Sequence, residues 1–379
     1  MNPKIRIAFL YLDNSFCVYH SLSLAIHLHK EDNHYIEIFT TAIIKIQIDK
    51  ILQKLKVVNL KVRVLRPFWH FSLPKYIEIK LQFRTAIFLR YKKLLGSYDL
   101  IVTTIYNDIK LKDYFSKNSN VRFVFTAHGT ANRKYAFQNV INKFDFFFIK
   151  GNVEEKIRRN KNQLEKGNYA AIGYLKYDLI KKMSLAQGIN NNLFNNNRQT
   201  IIYNPHWDKN ISSFFKFGFQ ILDFFLTTDK YNLIFIPHSV LTARNKILLL
   251  KLIKYRNRPN IFIDLGSEAC YDMTYMSYGD LYLGDGSSVA WEFILTKSRP
   301  CLFIDSNKLQ ESYSDENFLS WELGEVITNI SNLENDIMHS FDIFQDKYEA
   351  IQEEKLKAMY HQTTNATKIA ADSINKFLV

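Results

Sequence analysis

Residues 281–305, LYLGDGSSVAWEFILTKSRPCLFID, decide the fold. An apolar run ends at Leu283, a Gly-Asp-Gly turn follows, and Ser287 and Ser288 open an apolar helical stretch that ends before a second apolar run at Cys301–Ile304. Strand, turn, helix and strand in that order make the crossover unit of a parallel sheet. Ser287 and Ser288 fall at the helix start, where unsatisfied backbone N–H groups and the positive end of the helix dipole favour a phosphate. Gly284 and Gly286 allow a sharp turn and close approach to a ligand. A serine here also suits an ordinary helix as its N-cap, and the local pattern fits both readings.

The same alternation extends outward through most of the chain. Ile5–Tyr11, Tyr35–Thr40, Leu60–Leu65, Leu100–Thr103, Val121–Thr126, Phe144–Ile149 and Ala170–Gly173 read as strands, with helical stretches such as Val18–His29 and Thr41–Leu55 between them. The Asn-rich run QGINNNLFNNNRQ at 187–199 has little to bury and reads as a linker or mobile loop. Beyond it, strands are predicted at Thr200–Asn204, Leu233–Pro237, Ile261–Leu265, Leu281–Leu283 and Cys301–Ile304, with helices at Ser212–Leu226, Thr242–Tyr255 and Ser288–Lys297. This βαβα order defines an α/β protein with parallel sheets covered on both faces. Two Rossmann-like halves give the GT-B architecture, whose ligand cleft lies between the domains. The expected division is an acceptor-side domain at 1–190, a nucleotide-binding domain at 191–345, and a helix at 346–379 crossing back to the first domain. That last helix is part of a helical pattern over Phe344–Leu378.

Composition narrows the partners. Hydrophobic residues make up 47% of the 379, ample for two packed cores, and the formal net charge of +13 points to an anionic partner. Cys17, Cys270 and Cys301 lie far apart without metal-binding spacing and read as reduced structural thiols of a cytosolic protein. No run reaches about 18 uninterrupted apolar residues, which predicts no membrane span. Aromatic and basic residues interleave over Arg66–Leu95, RPFWHFSLPKYIEIKLQFRTAIFLRYKKLL. That mix suits either an amphipathic helix with a solvated basic side or a segment resting on the anionic inner face of a membrane, with Trp69 and His70 the better membrane candidates. No nucleic-acid module accompanies it, and nucleic acid is not expected as a partner.

Candidate chemistry sits at strand ends. His128, in the run Ala127-His128-Gly129-Thr130, follows a strand and suits a general base. His238, after LIFIP, suits donation to a phosphate oxygen. Arg133 and Lys134 are candidate phosphate contacts, and Asp285 a group that orients a hydroxyl or serves the turn itself. His206 in NPHWD reads mainly as structural.

In order, these segments resemble the CDP-glycerol glycerophosphotransferase family, the teichoic-acid type alditol-phosphate transferases. The matching stretches are His128-Gly129-Thr130, Gly173–Asp178, Tyr203–Trp207, Ile236-Pro237-His238, and Gly284–Ser288 leading to Arg299-Pro300, within about residues 120–305. The chain departs from the family pattern at Ala131-Asn132-Arg133, Leu175, Ile236 and Gly286; the family carries arginine where Ile236 stands and tyrosine where Gly286 stands. The resemblance implies a transferase of surface-polysaccharide assembly that needs no metal or other cofactor. It would move an alditol phosphate from a CDP-linked donor to a glycan or lipid-linked hydroxyl and release CMP. His128 would be the base, and His238, Asp285, Gly286, Ser287, Ser288, Gly129 and Thr130 would surround the phosphates. The alternative on the same fold is a glycosyltransferase using a nucleotide-sugar donor.

Overall fold

The computed structural model describes residues 4–68, 83–116, 119–129, 137–187, 193–244, 246–309, 319–361 and 364–378. The chain forms two compact units, one running to Gly188 and resuming at Met359, the other occupying Ile189–Ala358.

The first unit is a seven-stranded sheet in the order β3-β2-β1-β4-β5-β6-β7. Its strands are β1 (Arg6–Tyr11), β2 (Tyr35–Thr40), β3 (Lys61–Val64), β4 (Leu100–Thr103), β5 (Arg122–Thr126), β6 (Phe146–Ile149) and β7 (Tyr169–Ala171), and every pairing is parallel. Helices α1 (Leu22–Glu31), α2 (Ala42–Lys54), α3 (Phe83–Leu95), α4 (Asn152–Asn160) and α5 (Leu175–Gln187) connect them. Strands such as LIVT and FFFI are buried at every residue, as expected when helices cover both faces.

The second unit repeats the plan with six parallel strands in the order β10-β9-β8-β11-β12-β13. These are β8 (Gln199–Asn204), β9 (Tyr231–Phe235), β10 (Ile261–Ile263), β11 (Leu281–Gly284), β12 (Cys301–Ile304) and β13 (Glu325–Ile327). Its helices are α6 (Phe214–Thr227), α7 (Ser239–Arg244), α8 (Lys246–Lys251), α9 (Thr274–Tyr278), α10 (Ser288–Thr296), α11 (Leu333–Asp342) and α12 (Glu349–Met359). Its core joins Ile201, Leu233, Leu283 and Leu302 of the sheet to Ile221 and Phe225 of α6 and Ile337 of α11. In each unit the first strand is central. The next two strands lie on one side and the remainder on the other, so connections diverge between β1 and β4 and between β8 and β11. The carboxyl ends of strands at such a switch point form a ready crevice for ligands.

Two expectations need correction. The single helix expected over Thr242–Tyr255 is broken into α7, α8 and a 3-10 turn at Leu252–Tyr255. The helix expected over Phe344–Leu378 is a π-helical turn, α12, and then α13 (Ala366–Leu378) after a break in which Asn365 adopts a positive φ of 67°. The return to the first unit therefore begins near Met359 rather than at residue 346. Gln352 explains why α12 stays with the second unit: its buried amide donates to Arg299 O at 2.9 Å and Leu323 O at 2.8 Å, and accepts from Arg299 N–H. The Asn-rich run lies where the chain passes from the first unit to the second, as a linker should, and among its described residues Asn196 exchanges amide hydrogen bonds with the buried Asn232 at 3.1 and 2.9 Å.

In the first unit α13 packs on α1 and α5. The Asp178 carboxylate accepts the Thr367 N–H at 2.7 Å, satisfying a donor in the first turn of α13. Arg122 donates to Phe377 O at 2.8 Å at the other end.

Candidate active site

In the first unit, polar groups gather where β1, β4, β5 and β6 end. His128 follows β5, and its Nδ1 lies 3.1 Å from the carbonyl oxygen of Thr104, which follows β4. A carbonyl only accepts, so Nδ1 carries the ring proton and Nε2 keeps its lone pair. Burial lowers the His128 pKa; the Thr104 carbonyl opposes this, and the nearby Lys150 reinforces it. The ring is therefore neutral at pH 7, with a basic nitrogen of fixed identity. Phe16 and His20, from the 3-10 helix after β1, flank it at ring separations of 5.6 and 6.4 Å. Gly129 follows with φ of 73°, a left-handed conformation that a side chain would strain.

The Thr104 carbonyl is itself held. The Ile105 N–H donates to Thr103 Oγ1 at 3.1 Å, and that hydroxyl donates to the buried Asp108 carboxylate. Arg84 pairs with Asp108 and, at 3.0 Å, with Asp13. Arg84 belongs to the basic stretch predicted to face water or lipid, but the two carboxylates draw it inward. His20, absent from the sequence-based candidates, is buried beside His128, and burial together with Lys176 holds its pKa well below the usual histidine range. It lies inside a segment with helical patterning, so only the tertiary fold reveals its place.

In the second unit the exits of β8, β9 and β11 carry the chemistry. His238 follows β9; its backbone N–H donates to Pro205 O at 3.1 Å, and its Nδ1 accepts the Val240 N–H at 3.2 Å. His206 follows β8 and is built in the same way, with Nδ1 accepting the Asp208 N–H at 3.0 Å. A ring nitrogen that accepts cannot carry the proton, so in each ring as a neutral imidazole the proton sits on Nε2. The two ring centroids are 5.7 Å apart, and the Trp207 ring lies 5.4 Å from His206 and 6.3 Å from His238.

Asp285 corrects a sequence expectation. Its carboxylate is fully buried and accepts backbone N–H groups from His206 at 2.7 Å and Ser213 at 2.9 Å. Ser213 immediately precedes α6, where the helix dipole favours a negative charge. Asp285 therefore fixes the loop that carries His206. Ser287 is the N-cap of α10, its Oγ accepting the Val289 N–H at 3.3 Å, so the structural role weighed for it is real and sits at the anion-favouring end of that helix. Ser288 begins the helix, and Gly286 is buried in the turn before it. Gly284 is needed for space: a Cβ there would lie 2.8 Å from Tyr282 Oη and 3.0 Å from Asn204 O. Arg299 is structural, donating to the carbonyls of Met276 and Phe293 at 2.7 Å each. Thr130, Arg133, Lys134, Trp69 and His70 lie outside the described residues.

The thiols are inert in this setting. Burial pushes Cys17 and Cys270 each up to about 12 and raises Cys301 as well. Among the described residues, no three His, Cys, Asp or Glu side chains are grouped as metal ligands.

Two parallel-sheet Rossmann-like units with polar clusters at their switch points define a protein of the GT-B class. Solved structures share this fold. Staphylococcus aureus MnaA with UDP aligns at a TM-score of 0.68 and 14% identity, covering 99% of this chain and 97% of that one. The wall teichoic acid polymerase TagF with CDPG aligns at 0.61 and 15%, covering 98% and 88%. UDP-GlcNAc 2-epimerase from Neisseria meningitidis aligns at 0.61 and 13%, covering 98% and 100%. No curated protein sequence matches the chain. The chain belongs to the CDP-glycerol:poly(glycerophosphate) glycerophosphotransferase family, whose model spans residues 28–375, and it is a transferase of that family.

Proposed function

We propose that the chain transfers glycerol phosphate from CDP-glycerol to a hydroxyl of a growing cell-wall polymer and releases CMP. The acceptor oxygen attacks the β-phosphorus, the bond from that phosphorus to the bridging oxygen breaks, and CMP leaves with the electron pair. His128 Nε2 takes the acceptor proton. His238 Nε2–H and the start of α10 hold the diphosphate and stabilise the charge developing on it. The observation that carries this reading is the opposite hydrogen bonding of the two Nδ1 atoms, one facing a carbonyl and the other accepting an N–H. His128 offers a lone pair because Thr104 holds its proton on Nδ1, whereas His238 offers a proton because Val240 occupies its Nδ1.

Family membership supports the reaction class. TagF, a wall teichoic acid polymerase aligned over most of both chains, supports the polymer setting. Incubation with CDP-glycerol and a glycerol-phosphate oligomer should release CMP and create a phosphodiester visible by phosphorus NMR. CDP-glycerol should also raise the melting temperature more than UDP-sugars do. A glycosidic product from a UDP-sugar, with no CMP formed from CDP-glycerol, would favour the glycosyltransferase alternative and end this reading.

The same proposal places the enzyme at the inner membrane face, where a lipid-linked acceptor would be presented. No described helix is long and apolar enough to cross a membrane. Phe68 is 58% exposed, and α3 exposes Leu89 beside Arg90, Lys92 and Lys93, a combination suited to anionic lipid.

A further inference from the structure

We propose that Lys150 is a positioning residue for the transfer: its buried ammonium keeps the His128 imidazole unprotonated, and so free to act as the base. The proposal rests on reading His128 as that base. It starts from the register of the first sheet. β5 and β6 run parallel with Thr126 opposite Phe148. Two residues beyond that pair stand His128 at one strand exit and Lys150 at the other, and residues two apart along a strand share a face. His20, Thr126, Ala127 and Lys150 line one cavity at these exits. Its volume, about 10 Å³, admits no polyatomic anion that could neutralise the lysine.

The charges around Lys150 do not cancel. Lys150 is buried, and its Nζ lies 3.7 Å from Glu154 Oε2. That carboxylate is shared: Oε1 accepts the Arg158 Nε–H at 2.8 Å, and Oε2 also accepts the Lys150 backbone N–H at 3.0 Å. Two buried cations therefore lean on one carboxylate, which leaves a positive excess beside the imidazole. A like charge nearby disfavours protonation of a histidine. Burial lowers the His128 pKa most; the Thr104 carbonyl opposes this, Lys150 lowers it further, and Asp13 opposes. Asp13 is half exposed and paired with Arg84 at 3.0 Å, so its pull is weak. His20 is held neutral by burial together with Lys176, and it contributes no charge to offset Lys150. Lys150 itself loses basicity to burial, and Glu154 opposes that loss.

The backbone of Lys150 carries structural contacts of its own. Its carbonyl accepts N–H groups from Gly173 at 3.0 Å and His361 at 2.6 Å, and a change of side chain spares both. Lys150→Met and Lys150→Gln remove the charge, and Lys150→Arg keeps it. Each variant is titrated by NMR with isotope-labelled histidine, the His128 signal being assigned from its loss in His128→Gln, and its kcat/KM for CDP-glycerol is followed against pH. In both neutral variants the His128 midpoint and the acid limb of kcat/KM should rise together by about half to one pH unit, while the arginine variant stays with the parent. A purely structural role would lower activity at every pH without moving the limb. If one neutral variant fails to fold, the other carries the test. If His128 in a folded neutral variant titrates where it does in the parent, the proposal fails while the functional reading stands. If the acid limb does not follow His128 even in the parent, the reading of His128 as base falls and the proposal falls with it.

Discussion

A histidine after a strand end is easy to find in the sequence, but the nitrogen that carries its proton is not. His128 and His238 stand out for their position after apolar runs. Their contrasting chemistry comes from a carbonyl 24 residues upstream of one and an N–H two residues downstream of the other. His20 is invisible for the same reason, since its relation to His128 exists only once β1 and β4 are neighbours. His128→Gln should reduce kcat by about 10²–10⁴ fold, the usual contribution of a positioned base, while leaving CMP affinity near that of the parent in calorimetry. The pH profile carries a sign. Burial depresses the His128 pKa, so the lone pair persists below the ordinary histidine value and activity is lost only as pH falls through the depressed value. The acid limb of kcat/KM should therefore lie below about pH 6.5. A limb at or above that pH would show that another group is the base.

Elements were legible where their patterns were long. Apolar runs bounded by turns identified twelve strands that recur in the structure with small shifts, because strands buried on both faces need continuous hydrophobic sequence. β13 escaped notice because EVI at Glu325–Ile327 is too short to show a period. Asp285 illustrates the limit at a turn: turn residues are recognisable, but acceptance of two N–H groups from the loop after β8 is a contact across 79 and 72 residues. Asp285→Ala should cost roughly 3 kcal/mol in denaturant unfolding, since it strands two buried N–H groups and removes a charge from the start of α6. It should also alter the fluorescence of Trp207, which follows His206. An unchanged midpoint and spectrum would mean that the carboxylate does not hold this loop.

For the molecule as a whole, two Rossmann-like halves were readable from the restart of the βα alternation after the Asn-rich run, whereas the order of strands in each sheet was not. The place where the chain leaves the second unit was not, because it depends on Gln352 reaching Arg299 and Leu323. The net charge of +13 and the apolar and basic residues of α3 lead to a test on the intact chain. It should cosediment with vesicles containing anionic lipid, release as salt rises, and ignore neutral vesicles. Phe68→Ser with Leu89→Ser should weaken the attachment without changing turnover on a soluble acceptor; equal recovery on neutral vesicles would refute an electrostatic attachment.

The return of α13 also bears on how the polypeptide is made. Residues of the first unit appear early from the ribosome, yet Ser23 and Asp178 find their partner Thr367 only after at least 189 further residues have emerged. The second unit, contiguous between Ile189 and Ala358, can finish while its predecessor still lacks a helix. The nascent N-terminal half must therefore wait, with part of α1 and α5 uncovered, until α13 has been made.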